Sequence, residues 1–382
     1  MRGWMLASLL CLAGAAQAQS LTNTGALPKD AKVLNLRAVG RMQVRHDGAQ
    51  AGNQGVSYVH QWPGIYFEAN FRGDVAYLGF DDPTNEYRLY VDDRAPAAIV
   101  KPGKGWLTLG DIGPGEHHLR LEKVTESIDQ TGAFNGIYTS ATGTPEPAPK
   151  PRRRSIEFIG DSGMTGYGTR SKTVTCTKQE VHDLTDTQQD YTVLTAKHFD
   201  ADYEINAISG RGLVRNYDGA VPGQEIPQLY PYTFYDKTVP VSDPHWQPDT
   251  VIINLGGNDF STALKPGEPW TSQEDLLRSA LFAYGRFVAA VHRRHPHASV
   301  VLVWPFSADD AEGRQLIDAG RDSIETAAAQ SGLKRLIFIT NADLSTLGPV
   351  EKTGCDYHGS LDDQKKGAQW AIAWLNAHPE VW

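Results

Sequence analysis

The 382-residue sequence has no long apolar run after its first residues, and it contains only three cysteines. Without such a run, no later segment is expected to cross a membrane as a helix. Basic residues are also in the minority, because 36 Lys and Arg stand against 45 Asp and Glu and leave a formal charge of -9. This balance argues against nucleic acid and acidic membrane surfaces. We therefore expect no nucleic-acid partner and no membrane association.

Motifs for metal ions and phosphate groups are missing as well. No group of His, Cys and Asp has the spacing of metal ligands, and the neighbouring His117 and His118 would point to opposite faces of a strand. No glycine-rich loop fits a phosphate cradle. We expect neither a bound metal nor a cofactor.

The first 18 residues have the pattern of a secretory signal peptide. Arg2 supplies a positive charge, and residues 4–15 form an apolar core that is too short to span a bilayer. Small residues at 16–18 favour cleavage before Gln19. The mature protein is therefore expected to be secreted or periplasmic.

Two cysteines remain after this segment, because Cys11 lies within it. An even number of cysteines in an oxidising compartment permits one disulfide. Cys176 follows the loop after Ser162, and Cys355 lies three residues before His358, so the cysteines would meet if Ser162 and His358 meet. Two unpaired buried thiols are the alternative, since sequence alone does not give the geometry of a bridge.

Three regions follow the signal segment. Residues 19–145 contain short strands separated by turns, without helical periods, which is typical of a β-sandwich or jelly roll. Residues 146–154 form a linker with proline at alternate positions, and its basic run at 152–154 is either a binding patch or a solvated linker end. From residue 155 to residue 382, strands alternate with helices, which indicates a mostly parallel sheet.

Polar residues follow several strands of this last region. Ser162, Gly210 and Asn258 each come just after a buried strand, and the carboxyl ends of such strands converge on one crevice in a doubly wound sheet. Asp356 and His358 lie in a fourth segment, just before the last predicted helix. The sequence therefore predicts one site built from these five residues.

Together these residue types suit acyl transfer, which needs a nucleophile, a base, a group that orients the base, and donors for an oxyanion. Ser162 would attack, His358 would take its proton, and Asp356 would orient the imidazole. Backbone N–H groups of Ser162 and Gly210 and the side-chain amide of Asn258 would bind the oxyanion. Each residue also has a simpler interpretation as a turn, capping or surface residue. Asp356 is only two residues from His358, so a backbone carbonyl, or no carboxylate, is the alternative orienting group.

These segments, in this order, resemble the four sequence blocks of the SGNH (GDSL-like) hydrolases. The longer stretches 159–168, 208–217 and 253–260 are similar to carbohydrate esterase family two, as is the layout of a small jelly roll before a hydrolase domain. Two neighbours of the reacting groups depart from the family pattern. Gly359 stands where Pro is common, and Gly257 stands where Thr is common.

The resemblance implies a flavodoxin-like, three-layer α/β hydrolase domain and a serine esterase without a cofactor. Its expected substrates are acetylated hemicelluloses such as xylan or glucomannan, or their oligosaccharides, and we expect a monomer. Aromatic side chains would contact the sugar, although packing in the core is the alternative for each. The candidates are Trp246, Phe260, Trp304 and Tyr217. Competing functions are a non-catalytic carbohydrate-binding protein and a lipase or thioesterase of the wider SGNH group.

Overall fold

Two antiparallel sheets and one parallel sheet follow one another along the chain. The computed structural model describes residues 19–46, 55–307 and 310–382, so the predicted signal peptide lies outside the described residues. The strands are β1 (Ser20–Asn23), β2 (Lys32–Val33), β3 (Arg37–Val39), β4 (Met42–His46), β5 (Val56–His60), β6 (Tyr66–Gly73), β7 (Ala76–Asp82), β8 (Glu86–Val91), β9 (Ala97–Val100), β10 (Gly103–Gly110), β11 (Gly115–Lys123), β12 (Gly132–Thr139), β13 (Thr144–Pro145), β14 (Arg154–Gly160), β15 (Ala201–Ala207), β16 (Thr250–Asn254), β17 (Ser299–Val303) and β18 (Leu336–Ile339). The helices are α1 (Lys178–Leu184), α2 (Tyr191–His198), α3 (Ile226–Leu229), α4 (Gly257–Phe260), α5 (Gln273–Arg294), α6 (Ala311–Gln330), α7 (Asn341–Leu344) and α8 (Leu361–Ala377).

The first region folds into an antiparallel β-sandwich. One sheet has the order β1-β10-β7-β12-β5-β4 with β2 beside β12, and the other has the order β13-β6-β11-β8-β9 with β3 beside β6. Buried apolar side chains from both sheets fill the space between them. Phe67 of β6 and Phe134 of β12 illustrate this, with ring centroids 4.5 Å apart. The all-β domain predicted from alternating short strands is confirmed.

Residues 34–44 do not form the single strand that their partial alternation suggests. β3 pairs with β6 in one sheet, whereas β4 pairs with β5 in the other. Gly40 lies between them with a φ of 113°, in the left-handed region that favours glycine. A Cβ at this position would lie 2.6 Å from Cγ1 of Ile65. The chain therefore changes sheets where only glycine fits.

The second region contains a five-stranded parallel sheet with the order β15-β14-β16-β17-β18. Numbered within the sheet, this order is 2-1-3-4-5, as in flavodoxin-like folds. Neighbouring residues of one strand face opposite layers: Ile252 packs with α2 and α8, and Ile253 packs with α5 and α6. The predicted three-layer α/β domain with a parallel sheet is confirmed.

Two long helices begin at Ser-x-x-Asp sequences, a spacing that favours a helix start. Ser272 accepts a hydrogen bond from the backbone N–H of Asp275 and begins α5, and Ser360 forms a capping box with Asp363 at the start of α8. Another capping box, in which Thr177 pairs with Glu180, begins α1. The Thr-x-x-Glu spacing is the sequence signal that could have predicted this helix.

The basic run at 152–154 lies between the two regions. The Arg152 guanidinium pairs with Glu68 of the sandwich at 2.6 Å and with Asp202 of β15 at 3.1 Å. The Arg154 guanidinium lies over the ring of Trp382, 4.6 Å from its centroid. These two arginines are structural contacts, so neither a binding patch nor a solvated linker end describes them. The predicted domain limits themselves stay predictions.

Candidate active site

Ser162 lies at the carboxyl edge of the parallel sheet, just beyond the end of β14. β14 is flanked by β15 and β16, so the strand order reverses at this point, where doubly wound folds bind ligands. A short 3-10 turn over Ser162–Met164 follows the strand, and the Asp161 carboxylate caps it by accepting from the backbone N–H of Gly163 at 2.9 Å. This turn lifts the Ser162 hydroxyl out of the sheet, as the sequence predicts.

The Ser162 hydroxyl lies 2.8 Å from Nε2 of His358. Nδ1 of the same ring lies 3.0 Å from the backbone carbonyl oxygen of Cys355. A carbonyl oxygen only accepts, so Nδ1 carries the ring proton and Nε2 is left to accept the serine proton. The predicted nucleophile and base therefore meet in the geometry that proton transfer requires.

Asp356 does not occupy the orienting position that a catalytic triad would give it. In the described part of the chain, its carboxylate accepts a hydrogen bond from the Tyr167 hydroxyl at 2.8 Å, while the Cys355 carbonyl faces the imidazole. The φ of Asp356 is 51°, and this turn of the backbone separates its side chain from the carbonyl that precedes it. Burial and the Asp356 carboxylate raise the pKa of Tyr167, which keeps its hydroxyl protonated as a donor. The tyrosine ring packs on the imidazole of His358, with centroids 4.3 Å apart.

The surroundings of His358 favour its neutral form. Burial lowers the pKa of the imidazole and outweighs the backbone carbonyls of Cys355 and Asp356 and the charge of Asp356, which raise it. A neutral imidazole is the form that accepts a proton from serine. His358 can therefore act as a general base at pH values below the ordinary pKa of histidine.

A disulfide between Cys176 and Cys355 fixes the segment that carries His358. The structure contains this bridge, with the two Cα atoms 5.5 Å apart, so the alternative of two unpaired thiols is wrong. Backbone hydrogen bonds support it, because the N–H of Asp356 donates to the carbonyl of Val174 at 2.8 Å. Residues 354–359, which we call the histidine segment, are thereby held against the loop that follows the nucleophile.

The predicted oxyanion donor Gly210 lies in a loop that the sandwich domain supports. Gly210 has a φ of 75°, again in the region that favours glycine. The preceding Ser209 donates from its backbone N–H and from its hydroxyl to the two carboxylate oxygens of Glu126, at 2.7 and 2.6 Å. Glu126 is buried, and desolvation raises its pKa. The sequence analysis missed this residue because its partner lies 83 positions away in another domain.

The side chain of Asn258 follows a sharp backbone turn and lies in a polar cluster. Its Nδ2 lies 3.0 Å from a carboxylate oxygen of Asp161 and 2.9 Å from the backbone carbonyl of Arg211. Desolvation raises the pKa of Asp161 to about 6, against the hydrogen bonds that its carboxylate accepts. Both amide hydrogens of Asn258 thus have acceptors inside the protein. An oxyanion would share one of these hydrogens with Asp161 or with the carbonyl.

The predicted aromatic contacts divide into two groups. Tyr217 is 52% exposed, and its Cβ lies 4.0 Å from where a Cβ on Gly210 would be, so it flanks the oxyanion loop. Phe260 is half-buried and packs edge-on against Phe306, with centroids 5.8 Å apart. These two residues stay candidates for sugar contact.

Trp304 and Trp246 are instead core residues. They are only 5% and 8% exposed. Trp304 packs against Phe306 and Phe338, and the indole N–H of Trp246 donates to the buried carboxylate of Glu157 at 3.2 Å. We therefore correct their assignment from sugar binding to core packing, which was the alternative for each.

Two cavities lie in the region of the catalytic pair, and only the second includes Ser162 and His358 in its wall. One, of about 650 Å³, lies between the domains, and its walls include Ser127 and Gln130 of the sandwich and Tyr167, Gly210 and Asp356 of the hydrolase domain. We call it the interdomain cavity. The other, of about 420 Å³, lies between the sheet and α8, has a mainly apolar lining, and includes Ser162 and His358 in its wall. We call it the apolar cavity.

Neither a metal cluster nor a membrane helix is found in the described ranges. Across residues 19–46, 55–307 and 310–382, no three His, Cys, Asp or Glu side chains are grouped so that they could hold an ion. Over the same ranges, no helix combines the length and the apolar character needed to span a bilayer.

The fold, the serine at the strand end and its histidine define an ester hydrolase of the GDSL-like class. A family model for the GDSL-like lipase/acylhydrolase family matches residues 158–358, and one for the N-terminal domain of carbohydrate esterase 2 matches residues 39–149. An acetylxylan esterase/glucomannan deacetylase of Cellvibrio japonicus is 38% identical over 351 residues, which is 92% of this chain and 93% of that protein. The chain belongs to carbohydrate esterase family two.

Solved structures agree with this assignment. A carbohydrate esterase whose active site displays divergent catalytic and non-catalytic binding functions is 38% identical and superposes with a TM-score of 0.79, covering 92% of this chain and all of that one. A family two carbohydrate esterase from Clostridium thermocellum, solved with cellohexaose, is 26% identical with a TM-score of 0.70, covering 91% of this chain and all of that one.

Proposed function

We propose that this protein hydrolyses O-acetyl esters on the sugar hydroxyls of plant cell-wall polysaccharides, such as xylan or glucomannan, or of their oligosaccharides. The observation that carries the proposal is the 2.8 Å contact between the Ser162 hydroxyl and Nε2 of His358 at the carboxyl edge of the sheet. The substrate class rests on the relative from Cellvibrio japonicus, whose name records both xylan and glucomannan activities.

The reaction follows from the positions of these two side chains. Oγ of Ser162 attacks the acetyl carbonyl carbon while Nε2 of His358 accepts its proton. The bond from that carbon to the sugar oxygen then breaks, and the sugar leaves with the proton from His358. Water, activated in turn by the imidazole, releases acetate and restores the serine hydroxyl.

The oxyanion that forms on the acetyl oxygen needs donors that are already in place. We assign this role to the backbone N–H groups of Ser162 and Gly210 and to the amide of Asn258. The removal of one such donor typically costs a factor of about 10²–10³ in kcat. The contacts of Asp161 with Asn258 and of Glu126 with Ser209 support these donors by fixing the groups that carry them.

The sugar would occupy the interdomain cavity. Its walls combine hydroxyl, amide and carboxylate groups with the apolar side chain of Ile128, which is 42% exposed. This mixture suits a neutral carbohydrate, which presents both hydroxyls and C–H faces. The leaving oxygen of the ester would then lie on the side of Tyr167 and Gly210, which line the same cavity.

We also propose that the protein is exported and acts as a monomer. Export is supported by the signal-like pattern of residues 1–18 and by the Cys176–Cys355 disulfide, because disulfides persist in oxidising compartments. Size-exclusion chromatography with light scattering tests the monomer. Amino-terminal sequencing of the protein from the periplasm or medium tests the cleavage before Gln19.

The proposed activity is tested by acetate release from an aryl acetate, acetylated xylan and acetylated glucomannan. We expect wild type to release acetate, and Ser162→Ala to lose more than about 10³-fold in kcat/KM because the nucleophile is gone. Ser140→Ala, in a turn of the sandwich, is the matched control and should retain wild-type activity. A wild type that is inert on all three substrates but binds the polysaccharides would show that the fold serves binding and would refute the esterase proposal.

A further inference from the structure

The apolar cavity begins at the catalytic pair and extends under α8. At one end its wall contains Ser162, Gly163 and His358, which are the residues that meet the ester. Away from them the walls are mainly apolar side chains of the sheet, of α8 and of the loop after α7. These include Val303, Pro305, Ile339, Leu347, Val350 and Trp370.

Two polar side chains at the edge of this cavity, Asp363 and Gln364, are engaged within the protein, whereas Lys352 is exposed. The Asp363 carboxylate accepts from the backbone N–H groups of Glu351 and Lys352 at 3.0 and 3.1 Å, and it also forms the capping box of α8. The side-chain oxygen of Gln364 accepts from the N–H of Tyr191 at 3.0 Å. A ligand rich in hydroxyls would lose its water here for few new hydrogen bonds, so the cavity favours an apolar ligand.

The two cavities adjoin strand ends on opposite sides of β14, because the interdomain cavity is lined by Ser209 and Gly210 after β15 and the apolar cavity by Asn254 of β16 and Val303 of β17. The interdomain cavity is lined by Tyr167, Gly210 and Asp356, whereas the apolar cavity is lined by Ser162 and His358. An ester also has two ends, a polar alcohol end and an acyl end that is apolar beyond its carbonyl. If the sugar occupies the polar cavity, the acyl end points toward the apolar one.

The apolar cavity is larger than an acetyl group requires. A cavity of about 150 Å³ lined by aliphatic and aromatic side chains already holds benzene. The cavity beside Ser162 measures about 420 Å³. A single methyl group would leave most of this space unused.

We propose that the apolar cavity is an acyl-chain site, which lets Ser162 accept unbranched aliphatic acyl groups from butanoyl to octanoyl as well as acetyl. The proposal rests on the proposed esterase function. The serine oxygen bonds to the acyl carbon, the alcohol leaves with the proton from His358, and the alkyl chain lies along α8. Water then releases the free fatty acid and restores the serine hydroxyl.

Chain-length dependence gives the first test. Burial of each added methylene raises kcat/KM roughly fourfold. This gain offsets the cost of ordering the chain. We expect p-nitrophenyl hexanoate to have a kcat/KM of at least about one-tenth of that for p-nitrophenyl acetate. A lower ratio would overturn the proposal.

Variants that fill the cavity give the second test. Ala371 of α8 and Val350 line the cavity from different sides, and Ala373, which is exposed, lies on the same helix but does not line it. We expect Ala371→Phe and Val350→Phe each to lower the hexanoate-to-acetate ratio of kcat/KM by roughly tenfold or more, and Ala373→Phe to leave it unchanged. Because both substrates report on the same folded molecules, a partly unfolded variant does not alter this ratio. An unchanged ratio in both filled variants would contradict the acyl-chain site.

A boronic acid probe separates this proposal from the proposed function. Alkylboronic acids add reversibly to a serine hydroxyl without ester turnover, and Trp370 and Trp374 line the cavity as fluorescent reporters. We expect hexylboronic acid to bind wild type at least about tenfold more tightly than methylboronic acid. Tighter hexyl binding by a protein that hydrolyses no ester would refute the esterase function and retain the site. Equal affinities in an active acetyl esterase would refute the acyl-chain site alone.

Discussion

His358 is oriented by a backbone carbonyl, which changes what a substitution of Asp356 should do. Nδ1 faces the carbonyl of Cys355 at 3.0 Å, and the exposed Asp356 carboxylate binds Tyr167 instead. In a triad, loss of the orienting carboxylate costs about 10⁴ in kcat. We expect Asp356→Asn, which keeps an acceptor for Tyr167, to lower kcat by no more than roughly tenfold, because the exposed Asp356 charge is not the group that faces Nδ1. Steady-state kinetics on an aryl acetate measure this, and a loss near 10⁴ would restore Asp356 as the orienting group.

The lowered pKa of His358 predicts the acid side of the pH profile. The imidazole must be neutral to accept the serine proton, so a lowered pKa extends activity to more acidic solutions. We expect the acid limb of kcat/KM to fall below pH 6.5, the ordinary value for histidine. The limb measured between pH 4 and 8 should move further down in Asp356→Asn, since the Asp356 charge raises the pKa of His358. An unmoved limb would assign it to another group, such as Asp161, whose pKa is raised to about 6.

At the residue scale, the sequence predicts the reacting side chains better than their supports. Ser162 and His358 follow from strand ends and from their order along the chain, and the structure brings them together. The Cys355 carbonyl carries no side-chain signature, so no sequence pattern distinguishes it from other backbone groups. Glu126 lacks a local signal for a different reason, because the hydrogen bonds that give it a role cross between domains.

The histidine segment is the element whose position decides whether the base works. It contains no strand or long helix, and it is held by the Cys176–Cys355 disulfide and by hydrogen bonds to the loop after Ser162. Thr169, for example, donates its hydroxyl to the carbonyl of Gly359 at 2.9 Å. The disulfide therefore fixes the same Cys355 whose carbonyl orients the imidazole.

Removal of this disulfide should affect turnover as well as stability. We expect the double variant Cys176→Ser, Cys355→Ser to lose roughly tenfold or more in kcat with little change in KM, because small displacements of a base are costly. The free energy of unfolding should fall by about 2–4 kcal/mol. Kinetics and thermal unfolding, with and without reductant, check both: reductant should impair wild type and leave the double variant unchanged. A variant that is less stable but keeps full kcat would show that the bridge is only structural.

Elements whose apolar residues recur at a regular spacing are predicted correctly from the sequence. Elements whose position depends on distant contacts are not. α5 and α8 follow from their serine caps and apolar stripes, and the parallel strands follow from continuous apolar runs. The break between β3 and β4 depends on Ile65 packing against Gly40, which the alternation of the segment does not reveal. The burial of Trp246 and Trp304 is likewise not evident from the sequence, because it depends on the helices and loops that cover the sheet.

On the scale of the whole molecule, the sandwich is part of the active site and not only its neighbour. Glu126 of the sandwich holds Ser209 beside the oxyanion donor. Arg170 of the loop after the nucleophile forms a bidentate pair with Glu86 of β8, at 2.9 and 2.8 Å. Bidentate pairs of this kind restrict orientation as well as distance. The relative position of the two domains therefore sets the geometry of the oxyanion loop and of the interdomain cavity.

Glu68 of β6 is a buried carboxylate that binds three arginines where the sandwich meets the linker. It accepts hydrogen bonds from Arg120 of β11 at 2.7 Å, from Arg152 at 2.6 Å and from Arg37 at 2.9 Å. Burial alone would raise the pKa of Glu68, but Arg152 and Arg120 lower it to about 2, from an ordinary value of 4.5. A lowered pKa means that the ionised carboxylate stabilises the fold above pH 4.5 and that this contribution is lost as the pH falls toward 2.

We therefore expect Glu68→Gln to destabilise the protein by about 3 kcal/mol at pH 7, because it leaves the buried arginines without their shared partner. The difference in free energy of unfolding between wild type and variant should shrink as the pH falls from 4.5 toward 2, since wild type then loses the same charge. Denaturant unfolding across this range measures it. Glu116→Gln, which removes an exposed partner of Arg72, is the matched control and should change stability by less than about 1 kcal/mol at every pH. A difference for Glu68→Gln that stays constant with pH would show that packing, and not the ionised carboxylate, stabilises this junction of the sandwich and the linker.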